Sequence, residues 1–283
     1  MPFVLAPGIW RHLQRTSSEQ HRQWSHKDGI RIGVSSVEAL EEYFFKNKLT
    51  DRYILEDQLI EHNLPRELYE DYLIYQAMVR TVDRGEVDLA KNNNLILRYE
   101  SLRGYNANFS VICMLRNPLE HAYSLLKQQQ RFVSLQQADP FVRQYMDWLG
   151  HHEFGLNHKP FRLQGEEQIL NGNPNDFEYW LQAWYHYYSR VLSLKDWNRF
   201  HVMSYEALAD SPESFFTMIS EATGYELNLD DLLPFKKTIF PLDLPVDHDL
   251  LSQCRELHAR LSRTQCLSEY ERKHRTTSPD RSG

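Results

Sequence analysis

The stretch VICMLRNPLEHAYSLL, residues 111–126, decides how this chain is read. An apolar run ends on Arg116, Asn117 and Pro118, and a helical pattern follows. Residues FSVICML (109–115) are nearly all bulky or β-branched, which suits a central parallel strand covered on both faces. Pro118 fits the first position of a helix. Leu119, Ala122, Tyr123 and Leu126 then share one face, and at about 100° per residue Ser124 lies opposite their centre. In an open α/β sheet the ligand crevice lies beyond the carboxyl ends of the strands. An arginine there, a helix start with unbonded N–H groups and a serine off the apolar face point to an anion, most naturally a phosphate. The same residues also suit a solvated serine beside an arginine in a surface ion pair, and spacing alone leaves both readings open.

Working outward, Ser35 and Glu38 form a capping pair for a helix VEALEEYFFKNK, and PRELYEDYLIYQAMVRTVDRG (65–85) reads as a second helix. VDLA (87–90) suits a short buried strand and LILRYESLRGY (95–105) a helix. Strand, helix, strand, helix in about 45 residues implies an α/β sheet. Residues 131–175 look irregular and predict an excursion or helix-rich cap over the acceptor side. In DFEYWLQAWYHYYSRVLSL (176–194), Phe177, Trp180, Leu181, Trp184, Tyr188 and Val191 keep a near-helical period, so the aromatic stripe reads as core. A strand at 199–204, a helix begun by Asp210-Ser211-Pro212 and ended by Gly224, and a last helix from Leu250 complete one α/β domain over 1–267. The Ser-, Thr-, Arg- and Lys-rich segment 268–283 reads as a disordered tail.

Composition narrows the function. A net charge of −7 and a pI near 6.0 argue against a generic nucleic-acid binder but leave room for one local basic pocket. Cys113, Cys254 and Cys266 are too few and too scattered for a disulfide framework or a zinc ribbon, and imply a reducing compartment. No apolar run approaches the roughly 18 residues of a membrane span. The start MPFVLAPGIW lacks a secretory signal, so the expected location is cytoplasmic, with no membrane partner. His151, His152 and His158 have no carboxylate or cysteine spacing that would make a zinc site, and read as a polar loop.

Arg116-x-Pro118 with Ser124 eight residues after the arginine resembles the 3′-phosphate-binding motif of the sulfotransferases that use 3′-phosphoadenosine 5′-phosphosulfate (PAPS). FHVMSYEALADSPESFFTMISEATGY (200–225) is similar to that family's strand, Tyr-Glu-x-Leu element, capped helix and terminal glycine, with Tyr205 and Glu206 at the dipeptide. AKNNN (90–94) falls where many members carry a lysine before the strand of the arginine motif. The resemblance implies a P-loop-like parallel sheet flanked by helices. It implies transfer of a sulfuryl group from PAPS to a hydroxyl or amine of a small-molecule or carbohydrate acceptor, leaving adenosine 3′,5′-bisphosphate. Arg116 and Ser124 would then hold the 3′-phosphate, Tyr205 would lie near the adenine, and Lys91 would be the candidate catalytic cation. Charge accumulates on the bridging oxygen of the leaving nucleotide, so such a site needs positioning and positive charge.

The chain also departs from the family. The glycine-containing loop after the first strand, similar to Pro-Arg/Lys-Ser-Gly-Thr-Thr, has no clear counterpart. APGIWRHLQR (6–15) lacks its Ser/Thr pair, so Arg11 or Arg15 would serve only in a degenerate loop. The alternative expectation is a chain that begins after the loop, without the N-terminal strand. Where some members carry a basic histidine two residues after the lysine, this chain has Asn93, which cannot take a proton. The base is therefore unassigned, with His121 and Glu38 as candidates. The basic glycine-rich segment of the cytosolic small-molecule members is absent too, which places the resemblance nearer the broad bacterial-type group. A non-catalytic or truncated nucleotide-binding remnant is the rival reading. A kinase-like phosphotransferase is a distant third, since no Gly-x-x-x-x-Gly-Lys-Ser/Thr element exists.

Overall fold

The computed structural model describes residues 41–49, 52–83, 87–165, 170–194, 199–227, 240–241 and 244–263. Glu38, the helix start at Ser35, the 6–15 segment with Arg11 and Arg15, and the tail from 268 lie outside them. The chain divides into two compact units, one formed by the residues up to Tyr105 with Lys127–Leu170, the other by Asn106–Leu126 with the residues from Asn171 onward.

In the first unit α1 (Glu41–Leu49), β1 (Leu59–Ile60), α2 (Arg66–Asp83), a 3-10 turn (Asn93–Leu97) and α3 (Tyr99–Tyr105) precede the second strand region. Pro65 stands just before α2, where its missing N–H costs nothing. The later part of α4 (Pro118–Ala138), α5 (Pro140–Leu149) and β3 (Phe161–Arg162) complete the unit, and β1 pairs parallel with β3. Phe132, Val142 and Met146 form one buried cluster, against which Phe154 packs.

The expected strand at 87–90 does not form. Val87 and Leu89 are exposed, and Asp88 instead accepts a hydrogen bond from Gln76 of α2. Residues 131–149, expected to be irregular, are helical. α4 runs on to Ala138, and Asp139 then caps α5 by accepting from Phe141 N, with Pro140 in the first turn. Val142, Met146 and Leu149, spaced four and three residues apart, are all buried, so the segment had a helical period after all.

The second unit holds β2 (Val111–Leu115), the start of α4, α6 (Phe177–Leu192), β4 (Phe200–Ser204), α7 (Tyr205–Asp210), α8 (Pro212–Thr223) and α9 (His248–Leu261). β2 and β4 pair parallel, Val111 opposite Phe200 and Leu115 opposite Ser204. Gly224 closes α8 in the left-handed conformation (φ 79°), which glycine adopts without steric cost. Met203, Leu208, Phe215 and Ile219 bury together beneath the sheet. The aromatic stripe of α6 is core, with Phe177, Trp180, Leu181, Trp184, Tyr188 and Val191 all buried. The molecule is thus mixed α/β with small parallel sheets among its described residues.

Candidate functional site

The register of β2 and β4 builds the site. Both strands end at the same level, Leu115 beside Ser204, so the next residues of each chain meet. Arg116 meets Tyr205, its guanidinium 4.6 Å from the ring centroid, a cation–π contact. Asn117 meets Glu206, whose Oε1 accepts from the Asn117 backbone N–H at 2.8 Å. Glu206 Oε2 accepts from Ser204 Oγ at 2.9 Å, and the same serine caps α7 by accepting from Ala207 N. The Tyr188 hydroxyl donates to Met114 O and fixes α6 to the end of β2.

The start of α4 differs from the expectation. Asn117 Oδ1 accepts from Leu119 N at 3.0 Å and from Glu120 N at 3.4 Å, and Pro118 has no N–H. With Glu206 on the Asn117 amide, the helix start is already satisfied by its own chain. Its N–H groups are not open to an anion, and the positive end of the helix already faces a carboxylate.

What remains open is Arg116. The residue is 9 % exposed, and its Nε and Nη2 are buried without a hydrogen-bond partner among the described residues. A buried guanidinium with idle donors is costly unless an anion completes it. Two N–H groups on one guanidinium edge match the oxygens of a phosphate, so the residues present fit that group. Ser124 is half-buried on α4, with Ala122 and Leu126 buried on the opposite side.

His121 stands near this centre, within the field of both Arg116 and Glu206. Its Nδ1 is buried without a hydrogen-bond partner among the described residues. Burial first and the Arg116 charge second hold its pKa down to about 4, against the opposing pull of Glu206. His121 is therefore neutral at physiological pH. Its ring meets Tyr188 edge-on, with centroids 6.3 Å apart. Asn117 and Glu206 were also passed over as site residues. The available signal was a cap-forming asparagine directly before a helix-starting proline.

Lys91 belongs to the first unit. It is exposed, and its neighbour Asn92 donates to Glu41 and Glu42 of α1 while its own Oδ1 caps the 3-10 turn. Lys91 lies within electrostatic reach of His151 and Glu153. Among the described residues no group of three His, Cys, Asp or Glu side chains is placed to hold a metal, and no helix is long and apolar enough to cross a membrane.

A family model of the sulfotransferase domain matches residues 97–240, just over half of the 283 residues. The chain belongs to the sulfotransferase domain family. The matched segment contains Arg116, Ser124, Tyr205 and Glu206, while Lys91 precedes it. Membership makes the protein a transferase of the sulfuryl-transfer class. No curated protein and no solved structure matches the chain significantly.

Proposed function

We propose that the chain transfers a sulfuryl group from PAPS to a hydroxyl or amine of a small-molecule or carbohydrate acceptor, releasing adenosine 3′,5′-bisphosphate. The observation that carries this reading is Arg116, buried with Nε and Nη2 idle at the end of a parallel strand. Arg116 binds the 3′-phosphate through those donors, and Tyr205 holds the guanidinium from its ring face. Ser124 contributes its hydroxyl to the same phosphate. Glu206 is kept off the arginine by its bonds to the Asn117 amide and the Ser204 hydroxyl, so the positive charge stays available. PAPS itself supplies the activated sulfuryl group.

Calorimetry with adenosine 3′,5′-bisphosphate tests this. Arg116→Ala should weaken binding by roughly 1.5–3 kcal/mol, the value of a charged hydrogen-bonding partner, or about ten- to a hundredfold. Binding unchanged by Arg116→Ala would remove the site. Transfer of labelled sulfate from PAPS to a panel of acceptors then separates an enzyme from a nucleotide-binding remnant.

A further inference from the structure

His121 sits on the first turn of α4, where its backbone N–H donates to Asn117 O at 2.9 Å. Its Nδ1 is buried and idle among the described residues, as are Nε and Nη2 of Arg116. A leucine would pack at this place without leaving a polar atom dry, whereas a buried imidazole nitrogen without a hydrogen bond is costly. Native interiors keep few such atoms, and each calls for a ligand, an ion or a water. Here the idle atoms come as a group on two side chains five residues apart, and the arginine charge is felt at the ring.

The groups around these atoms are engaged elsewhere. Tyr205 covers one face of the guanidinium. Tyr188 meets the His121 ring edge-on and gives its hydroxyl to Met114 O. Glu206 accepts from the Asn117 amide and the Ser204 hydroxyl. The charged and titratable groups facing His121 are thus Arg116 at the end of β2, Glu206 on α7 and Tyr188 on α6. Ser124 stands three residues further along α4, the spacing at which helical side chains are neighbours, and is half-buried. With the proton on Nδ1, the idle atoms of Arg116 and His121 are all donors. A single water has too few lone pairs for them, while a tetrahedral anion offers acceptors in several directions.

We propose that His121 binds the 3′-phosphate together with Arg116, its Nδ1–H donating to one phosphate oxygen while Arg116 Nε and Nη2 take the others, and that nucleotide binding is thereby linked to a proton. The assignment rests on the PAPS reading above. A phosphate monoester carries close to two negative charges at neutral pH, and Arg116 supplies one positive charge. The neutral His121 ring adds a hydrogen bond, and the protonated ring adds the second positive charge. Burial and the Arg116 charge keep the ring neutral in the protein alone. A phosphate on Arg116 offsets that charge, so the ring protonates more readily, and by reciprocity a lower pH tightens the grip. The proton comes from solvent, and only hydrogen bonds form or break. His121 thus holds the nucleotide and does not serve as the base for the acceptor.

Calorimetry of adenosine 3′,5′-bisphosphate against adenosine 5′-phosphate, which lacks only the 3′-phosphate, tests this on the full chain. His121→Leu should weaken the bisphosphate about ten- to a hundredfold at pH 7 and leave the monophosphate unchanged. His121→Asn, whose amide N–H stands near the Nδ1 position, should keep most of the affinity at pH 7. From pH 7 to 5 the parent should gain roughly twofold over His121→Asn, the gain expected when a ring titrating at about 4 rises by about one pH unit on binding. Nitrogen-15 NMR of the parent needs no variant: the His121 Nδ1 resonance should move with the bisphosphate and hold still with the monophosphate. Bisphosphate binding by His121→Leu within twofold of the parent, while Arg116→Ala loses it, overturns His121 and leaves the Arg116 site standing. Equal losses for both nucleotides, or an Nδ1 resonance that the bisphosphate does not move, overturn the assignment as well. A parent chain that does not bind the bisphosphate overturns the functional reading, and His121 with it.

Discussion

Two buried arginines, one in each unit, show the difference between a charge that holds a fold and a charge that waits for a ligand. Arg98 in the first unit is 1 % exposed. Its Nη1 and Nη2 both reach Glu42 at 2.8 Å, its Nε points to His62, and Phe45 lies 4.0 Å from it on one side. Tyr53 and Asn92 complete the Glu42 carboxylate. Arg116 in the second unit is almost as buried, yet two of its nitrogens have no partner among the described residues, and Glu206 is engaged by the Asn117 amide and the Ser204 hydroxyl. Each arginine has a histidine beside it, and burial first and the arginine charge second hold both His62 and His121 down to about 4. The local ingredients are alike. The presence of an ion-pair partner at Arg98, and its absence at Arg116 among the described residues, separate structure from function.

The largest effect should come from breaking the satisfied pair. Burial works against the Glu42 charge, but Arg98 keeps its pKa below the usual carboxylate range. Glu42→Gln leaves a fully buried guanidinium without its counter-charge, which costs about 3–5 kcal/mol. Urea unfolding should show this as a lower midpoint with little change in slope. A loss under about 1 kcal/mol would mean that Arg98 does not depend on Glu42.

How much of this was readable in sequence differs between the two arginines. Arg116 announced itself because an apolar strand ran into it and a proline restarted the chain as helix. Its neighbour Tyr205 was marked only by the resemblance of residues 200–225 to the family's Tyr-Glu-x-Leu element. Sequence does not carry the register that brings the two ends level, although parallel pairing of two five-residue strands permits few alternatives. The helix amides were expected to be open because Asn117 was given no role, whereas its side chain caps the helix. Arg98 left no trace, since LILRYE reads as an ordinary amphipathic segment and its partner Glu42 lies 56 residues away. The pairing of β1 with β3 was equally hidden, as two-residue strands are too short to show alternation. Nor does the sequence show that Gln129 and Gln136 on α4 are buried and bonded to the backbone of Gly155 and Leu156.

A smaller effect distinguishes the two histidines. Because both folded pKa values lie below 6.5, the unfolded chain binds more protons between about pH 6.5 and 4, and stability falls as pH drops through that window. An anion on Arg116 cancels one of the charges that holds His121 down. Saturating adenosine 3′,5′-bisphosphate should raise the His121 pKa by on the order of one unit, about 1.4 kcal/mol, while His62 beside the already neutralised Arg98 stays put. Equal shifts at both rings in an NMR titration, or none at either, would break the contrast.

The smallest effect is the sharpest test of the comparison, namely removal of the unsatisfied arginine itself. Arg116→Met keeps the apolar stem and takes away an unpaired buried cation, which relieves a burial cost. Against that stands the lost cation–π contact with Tyr205, worth about 0.5–2 kcal/mol. No partner is left stranded, because Glu206 keeps its bonds to the Asn117 amide and the Ser204 hydroxyl. The two contributions nearly offset, so the urea midpoint should correspond to a change within about 1 kcal/mol, even as bisphosphate affinity falls. A loss of about 3 kcal/mol or more, the range in which buried pairs fail, would make Arg116 a structural residue of the same kind as Arg98.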